Sequence, residues 1–216
     1  MPDLVDEVDE ELRAERAKRL AQRYGGIAAG VALLGMAAIG GWEAWRWNEG
    51  RQAASAAGRF LAAAQSSAED GADLAAVAAR FQEVAREAPA GYATLARLRA
   101  AALLAETGDT SGALAAWDAL ARDGGADALY RDLATVMWGL HALDTGDAGQ
   151  VEARLAPLAR EGQPWRASAR EVVALAQIKR GAVAEARVAL QALAADPATP
   201  QGVRGRALRL AAGLGG

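Results

Sequence analysis

The chain has 216 residues, with 24 Lys or Arg against 27 Asp or Glu and a net charge of −3. That balance excludes the broad basic footprint of a nucleic-acid binder. The absence of cysteine excludes disulfides, thiolate nucleophiles and Cys-based metal sites together, and agrees with an oxidising compartment where stray thiols are a liability.

Residues 1–23 form a charged tail. Asp3, Asp6, Glu7, Asp9, Glu10, Glu11 and Glu15 lead, and Arg13, Arg16, Lys18, Arg19 and Arg23 follow, an order that complements a helix dipole. Val5, Val8 and Leu12 recur at helical spacing, and Glu15 to Arg19 is an i,i+4 pair in the favourable direction.

The stretch Tyr24–Trp42, YGGIAAGVALLGMAAIGGW, carries no charge. As a helix its 19 positions span roughly 29 Å, close to the ~30 Å hydrocarbon core of a bilayer. Gly and Ala dilute its apolar strength, and the flanks supply the rest of the signal. Tyr24 stands at one end and Trp42, Trp45 and Trp47 at the other, the arrangement of an interfacial aromatic belt. Arg23 and Arg46 lie where they can snorkel. The reading is a single-pass signal anchor over 24–47, uncleaved because no small-x-small site follows it. The denser basic cluster before the span places the N-terminus inside. Residues 48–216 then lie on the far side, the periplasm in a bacterium. Gly26 and Gly30 form a small-xxx-small pair fit for a helix–helix contact.

Helical patterning continues from Glu43 to about Ala68, and Glu69-Asp70-Gly71 marks a turn. A second amphipathic helix places Leu74, Val77, Phe81 and Val84 on one face, with Pro89 and Gly91 at its end. A repeat then appears. Gly108, Gly146 and Gly181, spaced by 38 and 35 residues, each separate two apolar-periodic runs. Sixteen positions before them stand Tyr92, Tyr130 and Trp165; nine after stand Trp117, Leu155 and Leu190; twelve after stand Leu120, Leu158 and Leu193. This register describes a helix, a Gly-containing turn and a second helix. Its spacing lies close to the ~34-residue period of tetratricopeptide-type hairpins. The expected architecture is all-α: one N-terminal transmembrane helix followed by a tetratricopeptide-like array, a right-handed α-solenoid. In each hairpin the leading aromatic wedges against its neighbour. Pro157 falls inside the second helix of the middle repeat and should kink or split it. Pro164 suits a first helical turn. Asp196, Pro197 and Pro200 break the last hairpin, and Val203, Leu208, Leu210 and Leu214 mark a capping helix. The abundance of alanine and the excess of arginine over lysine read as genome composition.

No catalytic constellation appears. His141 is the sole histidine and has no metal-ligand partner at a recognised spacing; it reads as a packing or groove-edge residue. Asp109, Asp147 and Glu185 sit at turns or helix starts, where capping accounts for them. The chain is therefore read as a non-enzyme without cofactor, metal or small-molecule substrate. Trp117, Trp138 and Trp165 read as hairpin core.

The run Gly41-Trp42-x-x-Trp45-x-Trp47-Asn48, closing a lone N-terminal membrane helix, resembles bacterial YfgM-type proteins, as do Gly91-Tyr92-Ala93-x-Leu95-Ala96 and Trp165 followed by Gly181 and Ala186-Arg187. Those are ancillary subunits of the Sec translocon with a periplasmic tetratricopeptide-like domain. The resemblance implies an inner-membrane adaptor or chaperone-like subunit beside the translocon. Its groove would receive periplasmic chaperones or emerging, unfolded secreted chains. The alternative is a scaffold for another bacterial envelope assembly complex, built on the same fold.

Overall fold

The computed structural model describes residues 3–215; side chains of 3–17 and of positions 20, 21, 25, 27, 28 and 32 lie outside that description. The expectations that rest on Val5, Val8, Leu12, Glu15 and Ile27 therefore fall outside the described side chains. The described residues form nine α-helices: α1 Asp3–Ser66, α2 Leu74–Glu87, α3 Ala90–Glu106, α4 Thr110–Ala121, α5 Ala128–Ala142, α6 Ala148–Leu155, α7 Arg166–Lys179, α8 Val183–Ala195 and α9 Gln201–Gly213. No strand occurs among them. The chain divides into two compact units, residues 1–52 and 53–216.

In the first unit, the described large apolar side chains of α1 stand in the open. Val31, Leu33, Leu34, Met36 and Ile39 are all more than 60% exposed, and Trp42, Trp45 and Trp47 more than half. Trp42 and Trp45 lean on each other at 5.4 Å between ring centroids. Arg51 lies 4.6 Å over the Trp47 ring and Arg23 5.7 Å from that of Tyr24. Among the described residues no helix is long and apolar enough to cross a membrane. Gly and Ala, which add little transfer free energy, hold down the hydropathy of 24–42.

The second unit is a series of antiparallel hairpins. The end of α1 packs on α2 through Phe60, Ala63, Phe81 and Val84, with Phe60 and Phe81 edge to face at 5.2 Å. The pairs α3–α4, α5–α6 and α7–α8 follow, and α9 closes the end against α8. The leading helices α3, α5, α7 and α9 also touch in sequence. At these crossings sit alanines with no exposed surface: Ala96, Ala101, Ala134, Ala169, Ala174 and Ala207. The smallest side chain that keeps full helix propensity lets backbones approach closely, so the alanine content has a packing role that composition alone did not show. Large side chains fill the hairpin interiors. Trp117, Leu155 and Leu190, equivalent in the repeat, are each at most 1% exposed.

Helix boundaries follow local chemistry. Asp73, Asp109, Asp127 and Asp147 cap α2, α4, α5 and α6 by accepting from backbone N–H groups at 2.8–3.0 Å. Gly108 and Gly181 take φ of +87° and +82°, a left-handed turn that costs an L side chain about 1–2 kcal/mol. Gly146 differs: its φ is not positive, but a Cβ there would meet the Ala142 carbonyl oxygen at 2.9 Å. Pro157 ends α6 outright at Leu155. Its ring conflicts with the carbonyl four residues back and it has no N–H to donate. The chain from Ala156 onward turns, yet Leu158 and Ala159 still pack on the α6–α7 core. Two expected roles move. Pro89 is the N-cap of α3 and Gly91 lies in that helix's first turn, because α2 has already ended at Glu87. Pro164 lies just outside α7, whose N-cap is Trp165.

Two carboxylates clasp the array by joining a leading helix to the loop after its partner. Asp123 accepts from Arg97 at 2.5 Å and from Gly125 N–H at 2.9 Å. Asp196 accepts from Ala198 N–H at 2.8 Å and pairs with Arg166. Those contacts hold both carboxyls below the ordinary range, the Arg97 hydrogen bond foremost for Asp123 and the Ala198 N–H for Asp196. Both therefore titrate lower in the folded chain than in the unfolded one. The stability they supply is in place above about pH 4 and drains as pH falls below it. Asp123→Asn with Asp196→Asn is expected to lower the urea midpoint at pH 7, with the gap to the parent closing as the pH falls towards 3. Separately, Gly181→Ala is expected to destabilise by about 1–2 kcal/mol through backbone strain. Gly124→Ala, with open space at its Cβ and no positive φ, is expected to shift the same melt little.

Candidate functional site: a groove across three leading helices

The groove is built by α5, α7 and α9. Residues on α5 that do not face α6 form its floor: Leu133, Met137 and Leu140, with Val136 below them. From α7 come Ser168, Glu171, Val172 and Leu175, with Trp165 at the N-cap, and from α9 Arg206, Arg209 and Leu210. The cavity is about 740 Å³. Its lining is open to solvent: Leu140 is 41% exposed, and Arg206 and Arg209 are exposed.

Two polar contacts set its shape. Trp165 donates from Nε1 to the Leu129 carbonyl at 2.8 Å, fixing the start of α7 to the start of α5. Glu171, only 7% exposed, accepts from Arg206 Nε at 2.6 Å and Nη2 at 2.7 Å, a bidentate pair joining α7 to α9. Those hydrogen bonds raise the Arg206 pKa further above its already high value. Arg209 differs: among the described residues no hydrogen bond or ion pair reaches it, and its guanidinium folds back over Gly205.

Of the residues singled out from the sequence, Trp165 and Leu210 line this groove, as do Leu140 and Leu175, which stand six positions before Gly146 and Gly181. Tyr92 lies 6.2 Å from the Phe60 ring, against the preceding hairpin, and Tyr130 faces Gly91 and Thr94 at the start of α3. Trp117 is buried and stacks on His141 at 4.6 Å and 29°, which makes His141 a packing residue. Trp138 carries Arg154 over its ring at 4.1 Å, and desolvation there lowers the Arg154 pKa. Gly26 and Gly30 have nothing within 4 Å of a built Cβ. Among the described residues no group of three or more His, Asp or Glu could hold a metal ion. The sequence reading missed Leu133, Met137, Glu171, Arg206 and Arg209. A second apolar stripe on α5, beyond the one its hairpin partner uses, was the available signal.

Residues 18–211 match the tetratricopeptide repeat-like domain, and the chain belongs to that family. No curated protein and no solved structure matches the chain. Helical-repeat domains of this kind serve protein–protein interaction, and a surface lined by successive leading helices is where they present it.

Arg206→Met strands the buried Glu171 carboxylate and is expected to cost about 1–2 kcal/mol, trimmed from the full penalty by the solvent that reaches the pair. Arg209→Met is expected to stay within about 0.5 kcal/mol in the same urea titration.

Proposed function

We propose that the chain is a non-enzymatic, single-pass protein of the bacterial inner membrane. Residues 1–23 lie in the cytoplasm, 24–47 form the anchor and 48–216 lie in the periplasm. It acts as an adaptor or chaperone-like subunit beside the Sec translocon, and its α5–α7–α9 groove receives periplasmic chaperones or emerging secreted chains. The observation that carries the interaction role is the open apolar groove on a tetratricopeptide-like array. The anchor rests on the exposed large apolar side chains Val31, Leu33, Leu34, Met36, Ile39 and Trp42 along an uncharged stretch, the kind of surface that marks a membrane or partner contact. Trp42, Trp45 and Trp47 would sit at the periplasmic interface and Tyr24 at the cytoplasmic one, with Gly26 and Gly30 free to seat a partner helix. The low hydropathy of that stretch is compatible with a helix held beside other membrane helices. The YfgM-like motif at Gly41–Asn48 is what directs the proposal to the translocon. A tethered groove at the channel exit meets emerging chains at high effective concentration.

A reporter active only in the periplasm, fused after Gly216, is expected to be active, and the full chain is expected to co-purify with the translocon channel from mild detergent. A cytoplasmic reporter signal, or recovery only with unrelated envelope complexes, would contradict the assignment.

A further inference from the structure

Helix α9 carries Arg204, Arg206 and Arg209 and no acidic residue. In the groove Glu171 neutralises Arg206, which leaves the Arg209 charge unmatched at the edge of an apolar floor. A partner that covers this floor removes Arg209 from water. An unpaired cation in that position is costly, and a carboxylate brought by the partner offsets the cost with a charge-assisted hydrogen bond. A small ligand fits poorly, because sites for such ligands enclose most of the ligand surface and this lining stays open on one side. The occupant must bring its own solvent-facing side, as an amphipathic protein segment does.

We infer that the groove selects protein segments that combine an apolar face with a carboxylate, the apolar face resting on Leu133, Met137, Leu140 and Leu175 and the carboxylate paired with Arg209. This deepens the proposed function and rests on its claim that the groove is the partner surface. Basic and purely apolar segments are disfavoured, the first by repulsion and the second by leaving Arg209 desolvated alone. Such a filter discriminates among apolar segments by charge rather than by greasiness.

The test uses the full chain in lipid nanodiscs and two fluorescein-labelled synthetic peptides of about 14 residues, roughly four helical turns. Both carry leucines along one face; one has a glutamate beside the stripe and the other a glutamine in its place. Fluorescence anisotropy is expected to show the glutamate peptide binding about fivefold tighter, a preference that shrinks as salt rises. Arg209→Gln is expected to abolish the preference, with the glutamine peptide binding somewhat tighter than to the parent because no unpaired charge is left to desolvate, Arg209→Lys to retain part of it, and Leu140→Asp to weaken both peptides. Equal binding of the two peptides, or a preference that survives Arg209→Gln, overturns the selection by Arg209 and leaves the groove reading standing. Failure of both peptides to bind overturns the two readings together. Self-association of the chain that Leu140→Asp abolishes would make a second copy the occupant and overturn the inference as well.

Discussion

A single helical hairpin cannot bury its own apolar face, and that constraint governs the second unit of this chain. Each pair of helices leaves one side uncovered, and only the next pair covers it. How closely they stack is set at the crossings, where Ala96, Ala134, Ala169 and Ala174 are fully enclosed. A larger side chain at any of these would push helices apart along the array. The capping helix α9 ends the series by burying Val203, Ala207 and Ala211 against α7 and α8 while turning its arginines outward.

The same constraint makes a groove. Leading helices α5, α7 and α9 lie side by side, and the side chains they do not spend on their hairpin partners converge on a common surface. That surface is apolar because α5 and α7 carry more apolar residues than hairpin packing consumes. It is basic at one side because α9 supplies arginines and α7 supplies a single acid. Trp165 and the Glu171–Arg206 pair tie these three helices together, so the groove is a fixed feature of the stack.

Much of this architecture was legible in the sequence, and the residues show why. The recurrence of Gly108, Gly146 and Gly181 with aromatics sixteen positions earlier is a covalent record of one folding unit used repeatedly. Aspartate caps and the terminating effect of Pro157 are local rules that act within a turn or two. The groove was not legible, because it depends on which faces of α5, α7 and α9 meet across 35 residues or more. Both faces of these helices are rich in Ala and Leu, so periodicity alone does not separate the face that packs from the face left open. Gly146 shows a subtler limit: it occupies the same repeat position as Gly108 and Gly181, yet close backbone approach rather than left-handed geometry requires it.

The central claim is that partners contact this protein across α5, α7 and α9. The most direct measurement is site-specific photo-crosslinking of the full chain in living cells. One probe replaces Leu140 in the groove and the other replaces Val188 on α8, exposed and outside the groove lining. Defined protein adducts are expected from the Leu140 position and none of them from Val188. Identical adducts from both positions, or adducts from Val188 alone, would contradict it.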